Sequence, residues 1–351
     1  MTTAGVIAVA NLEARIDGQA SRATKGRLTV GERAELVELI ALRGNVLGCI
    51  ADLERAAVLS DELVRQQPGE ARAFFARARM RAVFHRFGSA LSDLDIAAAL
   101  GGERVDIDAE HAAIYEALGC YDDALAIRRR LAVESWGDFS AVAALASLYG
   151  ARGEMDEAEA WYSAAICCYR GTSPFPLAML EFGAGQLWME LNDLHRARAW
   201  YDAALRRLPA YVPALGHLAE VEGALGNTAD AIARLRPLAV ASDDPDYAAQ
   251  LARILRDDGQ AEEAETWRAR AEARYDELVA RHQDAFADHA AEFWLTIGCD
   301  AEKALALALR NLSIRQTPRA RALVRRAHAD RLGFDKVRHN VWTRPVDSAE
   351  F

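Results

Sequence analysis

The chain has 351 residues, 52% hydrophobic and 27% charged, with a formal net charge of −10. That acidic balance disfavours a general nucleic-acid or anionic-membrane binder, because both need a basic surface. No apolar run approaches the ~18 residues a membrane-spanning helix requires.

The N-terminal stretch MTTAGVIAVANLEAR has a short apolar run but no positively charged lead, so it does not read as a secretory signal. Cys49, Cys120, Cys167, Cys168 and Cys299 are scattered and form no C-x-x-C pair. Neither a zinc site nor a disulfide framework is signalled, and packed free thiols in a reducing, cytoplasmic compartment are expected. Residues 1–36 read as a poorly patterned lead-in or cap, ending in VGERAELVELIALRG, which starts the first regular unit.

From there the chain is periodic. An alanine recurs at Ala56, Ala90, Ala124, Ala158, Ala197, Ala231, Ala264 and Ala304, mostly about 34 residues apart. Five positions earlier runs a turn column: Ala51, His85, Gly119, Gly153, Asn192, Gly226, Gly259 and Cys299. Gly and Asn dominate it, the residues that tolerate a left-handed helix end. Seven positions after the alanine comes a third column: Leu63, Ala97, Leu131, Ala165, Ala204, Leu238, Ala271 and Asn311. Each unit is therefore helix, turn, helix. The second helix presents small side chains on one face so that neighbouring helices approach closely. Two segments show the repetition most plainly, GEMDEAEAWYSAAI (Gly153–Ile166) and NDLHRARAWYDAAL (Asn192–Leu205).

Repeats occupy 37–172 as units one to four and 178–318 as units five to eight. Between them GTSPFP leaves 173–177 as an irregular, proline-containing connection. A second lengthening falls near Arg281–Asp284. TPRARALVRRAHADRLG opens a C-terminal capping helix and tail over 319–351.

This pattern resembles the tetratricopeptide repeat. Leu145, Ala146, Tyr149, Gly153, Ala158, Tyr162 and Ala165 occupy the consensus columns of one unit. Gly185, Trp188, Ala197, Tyr201, Ala204 and Pro209 occupy those of the next. Arg81 and Glu222 depart from it, standing where the family prefers an aromatic. The resemblance implies an all-α, right-handed superhelical solenoid of about eight helical hairpins. It also implies that the first helix of each unit lines a concave, partner-binding face.

Helical spacing then selects inward-facing residues. Asn45, Arg72, Phe75, Arg79, Glu116 and Ser147 come from units one to four. Met179, Phe182, Gln186 and Met189 come from unit five, Glu220 from unit six, and Asp246, Arg253 and Arg256 from unit seven. His289 and Phe293 come from the last unit. Only Asn45 fits the two-carboxylate clamp with which some family members grip an acidic C-terminal tail, so that role is not expected. The Met and Phe positions suit a helix or extended peptide laid in the groove. Arg72 and Arg79, two turns apart on one face, suit a carboxylate or phosphate, which suggests as an alternative a sensor of a peptide or small acidic ligand acting through superhelix pitch.

No phosphate-binding, dinucleotide, zinc-protease or serine-hydrolase signature is present, so no cofactor is expected. His289 and Glu292 share a helix face, and they are the best local pair for metal or proton chemistry. The reading is a non-enzymatic protein-interaction scaffold for a protein or peptide partner, with no nucleic acid and no membrane. Pairing of two copies along the solenoid edge stays open.

Overall fold

A computed structural model describes residues 2–135 and 137–333. The expected tail, residues 334–351, lies outside the described residues. Among those described there are seventeen α-helices and no strand.

The hairpins follow the column pattern closely. First helices are α2 (Val30–Leu47), α4 (Ala71–Val83), α6 (Arg104–Leu118), α8 (Phe139–Ala151), α10 (Phe175–Glu190), α12 (Val212–Ala224) and α14 (Pro245–Asp257). Second helices are α3 (Ile50–Gln66), α5 (Phe87–Ala99), α7 (Tyr121–Glu134), α9 (Met155–Cys168), α11 (Leu194–Arg207) and α13 (Thr228–Ala241). α15 (Ala261–Leu295) is both the second helix of unit seven and the first of unit eight. Its backbone leaves the helical region at His282 (φ −141°, ψ 54°), so the expected lengthening is a kink rather than a loop. α16 (Ala301–Ile314) completes unit eight, and α17 (Pro318–Arg331) covers its open face with Ala320, Leu323 and Ala327.

The alanine column is the structural spine. Ala56, Ala90, Ala124, Ala158, Ala197, Ala231 and Ala304 are 0% exposed and Ala264 is 4%. The turn column adopts left-handed backbone at seven of its eight positions, including the non-glycines His85, Asn192 and Cys299. Unit one differs. Its left-handed residue is Gly48, and Ala51 is already inside α3.

Two further departures matter. α2 begins at Val30 behind a capping box made by Thr29 and Glu32, so the first unit starts before residue 37. The lead-in itself is a 20-residue helix, α1 (Gly5–Thr24). Its stripe of Ala8, Leu12 and Ile16 joins one apolar cluster with Ile40 of α2, Phe175 and Ala178 of α10, Ala204 of α11 and Leu208 just after it. A Cβ at Gly5 would sit 2.5 Å from the Arg207 carbonyl, which shows how close α1 lies to the end of α11. Thr3 donates its backbone N–H to the Thr172 carbonyl. The proline-containing connection therefore receives the N-terminus.

Those contacts close the superhelix. Units one to three return to touch units six to eight, roughly 200 residues on. Asp243 accepts backbone N–H bonds from Ile50 (2.6 Å) and Ala51 (2.8 Å), capping α3 from across the seam. Gly48 packs on Val212, Ser242 and Tyr247. His282 and Arg281 both reach Glu54, at 2.8 Å and 2.9 Å. The His85 ring lies 2.9 Å from the Asp284 carbonyl, and Gln316 donates to the Leu118 carbonyl. The first helices thus line the inner side of a superhelix whose two ends meet along this seam, and that inner, solvent-accessible side is its lumen.

Candidate ligand-binding lumen

The lumen has a distinctive chemistry. Glu220, Asp244 and His289 are surrounded by protein as fully as core residues. Yet Glu220 and Asp244 keep partial solvent access and His289 is exposed. Arg319 behaves the same way. They line interior space that solvent can enter.

One group sits around unit six. Arg253 and His217 approach Glu220 at 3.4 Å and 3.6 Å. Burial pushes the Glu220 carboxyl up, but the neighbouring His217 ring and the Arg253 and Arg319 charges outweigh it and hold it below its ordinary range.

A second group comes from the turn before α14, from α15 and from α17. Asp244 caps α14 by accepting the Asp246 N–H. Burial and then the neighbouring Asp246 charge raise the Asp244 carboxyl to about 6. Asp246 accepts from Gln250 (2.8 Å) and from the Tyr275 hydroxyl (3.3 Å). The Asp288 charge raises His289, against burial and with help from Asp246 and Asp244. Burial raises Asp288, but His289, Arg319 and Arg315 hold it below the usual carboxylate range. The Arg315–Asp288 pair is 3.3 Å.

A third group lies at unit three. Burial raises Glu116 to about 7, because its Arg128 partner stands 3.9 Å off and is itself depressed by burial.

The structure sorts the sequence-derived positions. Asn45 and Arg72 are exposed, and Ser147 and Gln186 are half-buried. Met179 is exposed, and Arg256 approaches only its neighbour Asp257, at 3.7 Å. Two positions read as binding surface, Met189 and Phe293, are core instead, and Phe182 is half-buried against it. Phe182 is enclosed by the rings of Tyr211 (5.2 Å), His217 (5.3 Å) and Tyr201 (5.8 Å). Met189 is 7% exposed and receives the Tyr201 hydroxyl on its sulfur. Phe293 is 2% exposed between Tyr275 and Trp294. Phe75 is half-buried against the core of unit two. Helical spacing could not separate these from true lumen positions. The distinction rests on which neighbouring helix closes over each side chain.

The arginine patch is also not a free anion site. Arg79 lies between Glu38 (3.1 Å) and Glu110 (3.7 Å). Arg77 clamps the buried Asp93 through two nitrogens, and Arg81 reaches the same carboxylate at 2.7 Å. Among the described residues only Arg72 of the four makes no ion pair. His289 does not pair with Glu292, which instead holds Arg326 at 2.7 Å. Among the described residues no group of three or more His, Cys, Asp or Glu side chains is placed to hold a metal.

The sequence reading left out Asp244, Gln250 and Arg319. The acidic run SDDPD (Ser242–Asp246) was the available signal, hidden because it stands between units.

Hairpin order, the alanine spine and the left-handed turns define an all-α, tetratricopeptide-like helical-repeat solenoid. No family model matches the chain, and no curated protein matches it. Among solved structures it is similar to YrrB, described as a TPR protein with an unusual peptide-binding site. The likeness has 18% identity and a TM-score of 0.31, and covers 56% of this chain and 95% of that one. At that score it bears on neither ligand nor site. No described helix is long and apolar enough to cross a membrane.

Proposed function

We propose that the protein is a non-enzymatic scaffold that holds an extended segment of a partner protein inside its lumen. The observation that supports this reading is the enclosed, solvent-accessible set of charged side chains formed by Glu220, Asp244, His289 and Arg319. Enclosing charge costs several kcal/mol per ion unless it is paired or hydrated (roughly, from desolvation). These groups keep solvent access and so stay hydrated, which leaves them able to exchange water for a ligand. Inward charges and amides offer hydrogen bonds to a polypeptide backbone and its polar side chains. An extended segment fits this lining better than an amphipathic helix, because the Met and Phe positions that would have received an apolar face are partly consumed by the core.

The test is site-specific crosslinking in the native cell. A photoreactive phenylalanine analogue is placed at Gln186, which is half-buried on the inner helix α10. A second copy carries it at Val133, 75% exposed at the end of the outer helix α7. One partner peptide crosslinked from residue 186 and absent from residue 133 is the expected result. Equal products from both positions, or none from 186, would overturn the reading.

A further inference from the structure

Four residues after the repeating alanine, the second helices place Leu94, Tyr162, Tyr201 and Leu235 in the core of units two, four, five and six. Unit three puts Arg128 in that column. Its side chain is 11% exposed, the least of any arginine with an acidic neighbour among the described residues. The next two, Arg77 at 16% and Arg43 at 19%, each clamp a carboxylate through two nitrogens. Arg77 holds Asp93 at 2.9 Å and 2.7 Å, and Arg43 holds Asp52 with two bonds of 2.7 Å. Arg128 makes no hydrogen bond among the described residues.

The position of its missing partner can be read from its nitrogens. Nε is sealed from solvent, whereas the two terminal nitrogens are not, so the fork opens onto the inner side. Glu116 of the inner helix α6 stands there with Oε2 3.9 Å from Nη2, too far for a hydrogen bond. The neighbouring Arg79–Glu110 pair is as loose, at 3.7 Å. A guanidinium buried this far with no acceptor for its five N–H groups is uncommon and costly. A leucine or tyrosine would serve the core better, as it does in the four other units.

We infer that Arg128 is the receptor for a carboxylate carried by the segment held along the inner side, taken up through two parallel hydrogen bonds as Asp93 and Asp52 are elsewhere in the molecule. The planar fork matches a carboxylate. Glu110 and Glu116 flank the site and oppose a doubly charged phosphate more than a singly charged carboxylate. Arg128 reaches inward from a second helix, so the site is not the first-helix clamp column of Asn45. The carboxylate comes from an Asp or Glu side chain or from a free C-terminus. The inference rests on the scaffold reading for its biological setting, but its chemistry can be tested without the partner.

Glu116 makes the uptake pH-dependent. Burial holds its carboxyl at about 7 against the Arg128 charge. A ligand carboxylate on Arg128 screens that charge and adds a like one, so binding places a proton on Glu116 and strengthens as pH falls from 8 to 6. The other groups facing Glu116 are Tyr121 of α7 and Tyr162 of α9, and burial raises both phenols, Tyr162 to about 12, so neither titrates in this range. Tyr121 is in turn faced by Glu190, Arg315 and Arg321. Arg315 is held by the Ala117 carbonyl and Asp288. On α6 itself, Glu110 is raised by burial against the Arg79, Arg128 and His111 charges.

The experiment is ligand-observed NMR on the full chain with four probes. Nα-acetyl-glutamic acid methylamide carries a side-chain carboxylate and Nα-acetyl-alanine an α-carboxylate. Nα-acetyl-glutamine methylamide is a neutral isostere, and inorganic phosphate a dianion. Wild type is compared with Arg128→Leu, the residue of this column in units two and six, and with Glu116→Gln, each checked by circular dichroism and melting. At pH 6 at least one carboxylate probe should bind wild type about tenfold or more tightly than Arg128→Leu. The glutamine probe should bind both alike. Wild type should bind the carboxylate several-fold more tightly at pH 6 than at pH 8. Glu116→Gln should bind at pH 8 as tightly as wild type does at pH 6, with no such dependence. Preference for the glutamic acid probe assigns a side chain, and preference for acetyl-alanine assigns a C-terminus. No carboxylate binding by wild type, equal binding by a folded Arg128→Leu, or tightest binding of phosphate would overturn the inference. Should Arg128→Leu not fold, Glu116→Gln decides: a pH dependence that survives in it, or is absent from wild type, overturns the site. Any of these with the residue-186 crosslink intact removes the carboxylate site and leaves the scaffold. Probe binding without a crosslink does the reverse.

Discussion

At the residue scale, two departures from the repeat pattern explain themselves. Arg81 and Glu222 occupy a column that elsewhere holds the aromatics Tyr115, Tyr149 and Trp188 and the leucines Leu47, Leu255 and Leu295. The structure replaces the aromatic plug with an ion pair between the two helices of a unit. Glu222, 4% exposed, accepts two bonds from Arg234, at 3.0 Å and 2.8 Å. Arg81 joins Arg77 on Asp93, which is 1% exposed. Such pairs hold geometry well but contribute little net stability, since desolvation offsets most of the attraction. Removing one partner is another matter. Arg234→Ala strands the Glu222 carboxylate and should cost about 3 kcal/mol. Adding Glu222→Leu should recover most of that. Denaturant melts of the single and double variants check it, and an additive double variant would sink the account.

At the element scale, the turns carry the clearest strain. The left-handed positions lie at φ between +53° and +87°, and Gly119, Gly153, Gly226 and Gly259 supply it freely. Cys299 adopts φ 53° with a side chain, exposed and bonded only weakly to the Thr296 carbonyl (3.3 Å). Cys299→Gly should therefore raise stability by up to about 1 kcal/mol. His85 has the same backbone but should not follow the rule, because its ring spans the seam to Asp284. Calorimetry of both glycine variants tests the contrast: a gain at 299 and a loss at 85. The helices themselves were legible from spacing, because burial of an alanine every unit demands periodicity. α1 was not, since its stripe of Ala8, Leu12 and Ile16 lies outside the repeat and its partners, Phe175 and Leu208, are more than 150 residues away.

At the scale of the whole molecule, closure decides what the inner face can do. The seam mixes polar caps with tight apolar packing. A Cβ at Gly48 would come 2.8 Å from Val212, and Asp243 supplies the acceptors for the start of α3. The pair Gly48→Val and Asp243→Ala should open the superhelix. The expected result is a larger radius of gyration by small-angle scattering with unchanged helical circular dichroism. An unchanged radius in the folded variant would show that the apolar cluster joining α1 and α2 to α10–α12 suffices to close the ring.

The repeat, its turns and its alanine spine follow from the sequence alone, because they are local: each needs only a helix, a left-handed residue and the neighbouring hairpin. What the lumen contains did not follow. Met189 and Phe293 share helical spacing with Gln186 and His289, yet the first pair is core while Gln186 is half-buried and His289 exposed. Asp244 and Asp246 looked like turn residues until α15 and α17 enclosed them. Enclosure depends on superhelical pitch, and pitch is set by small packing differences summed over eight hairpins and by contacts between residues about 200 apart. No local pattern in the chain encodes that sum, so the tertiary structure alone decided which inner positions are core and which meet solvent.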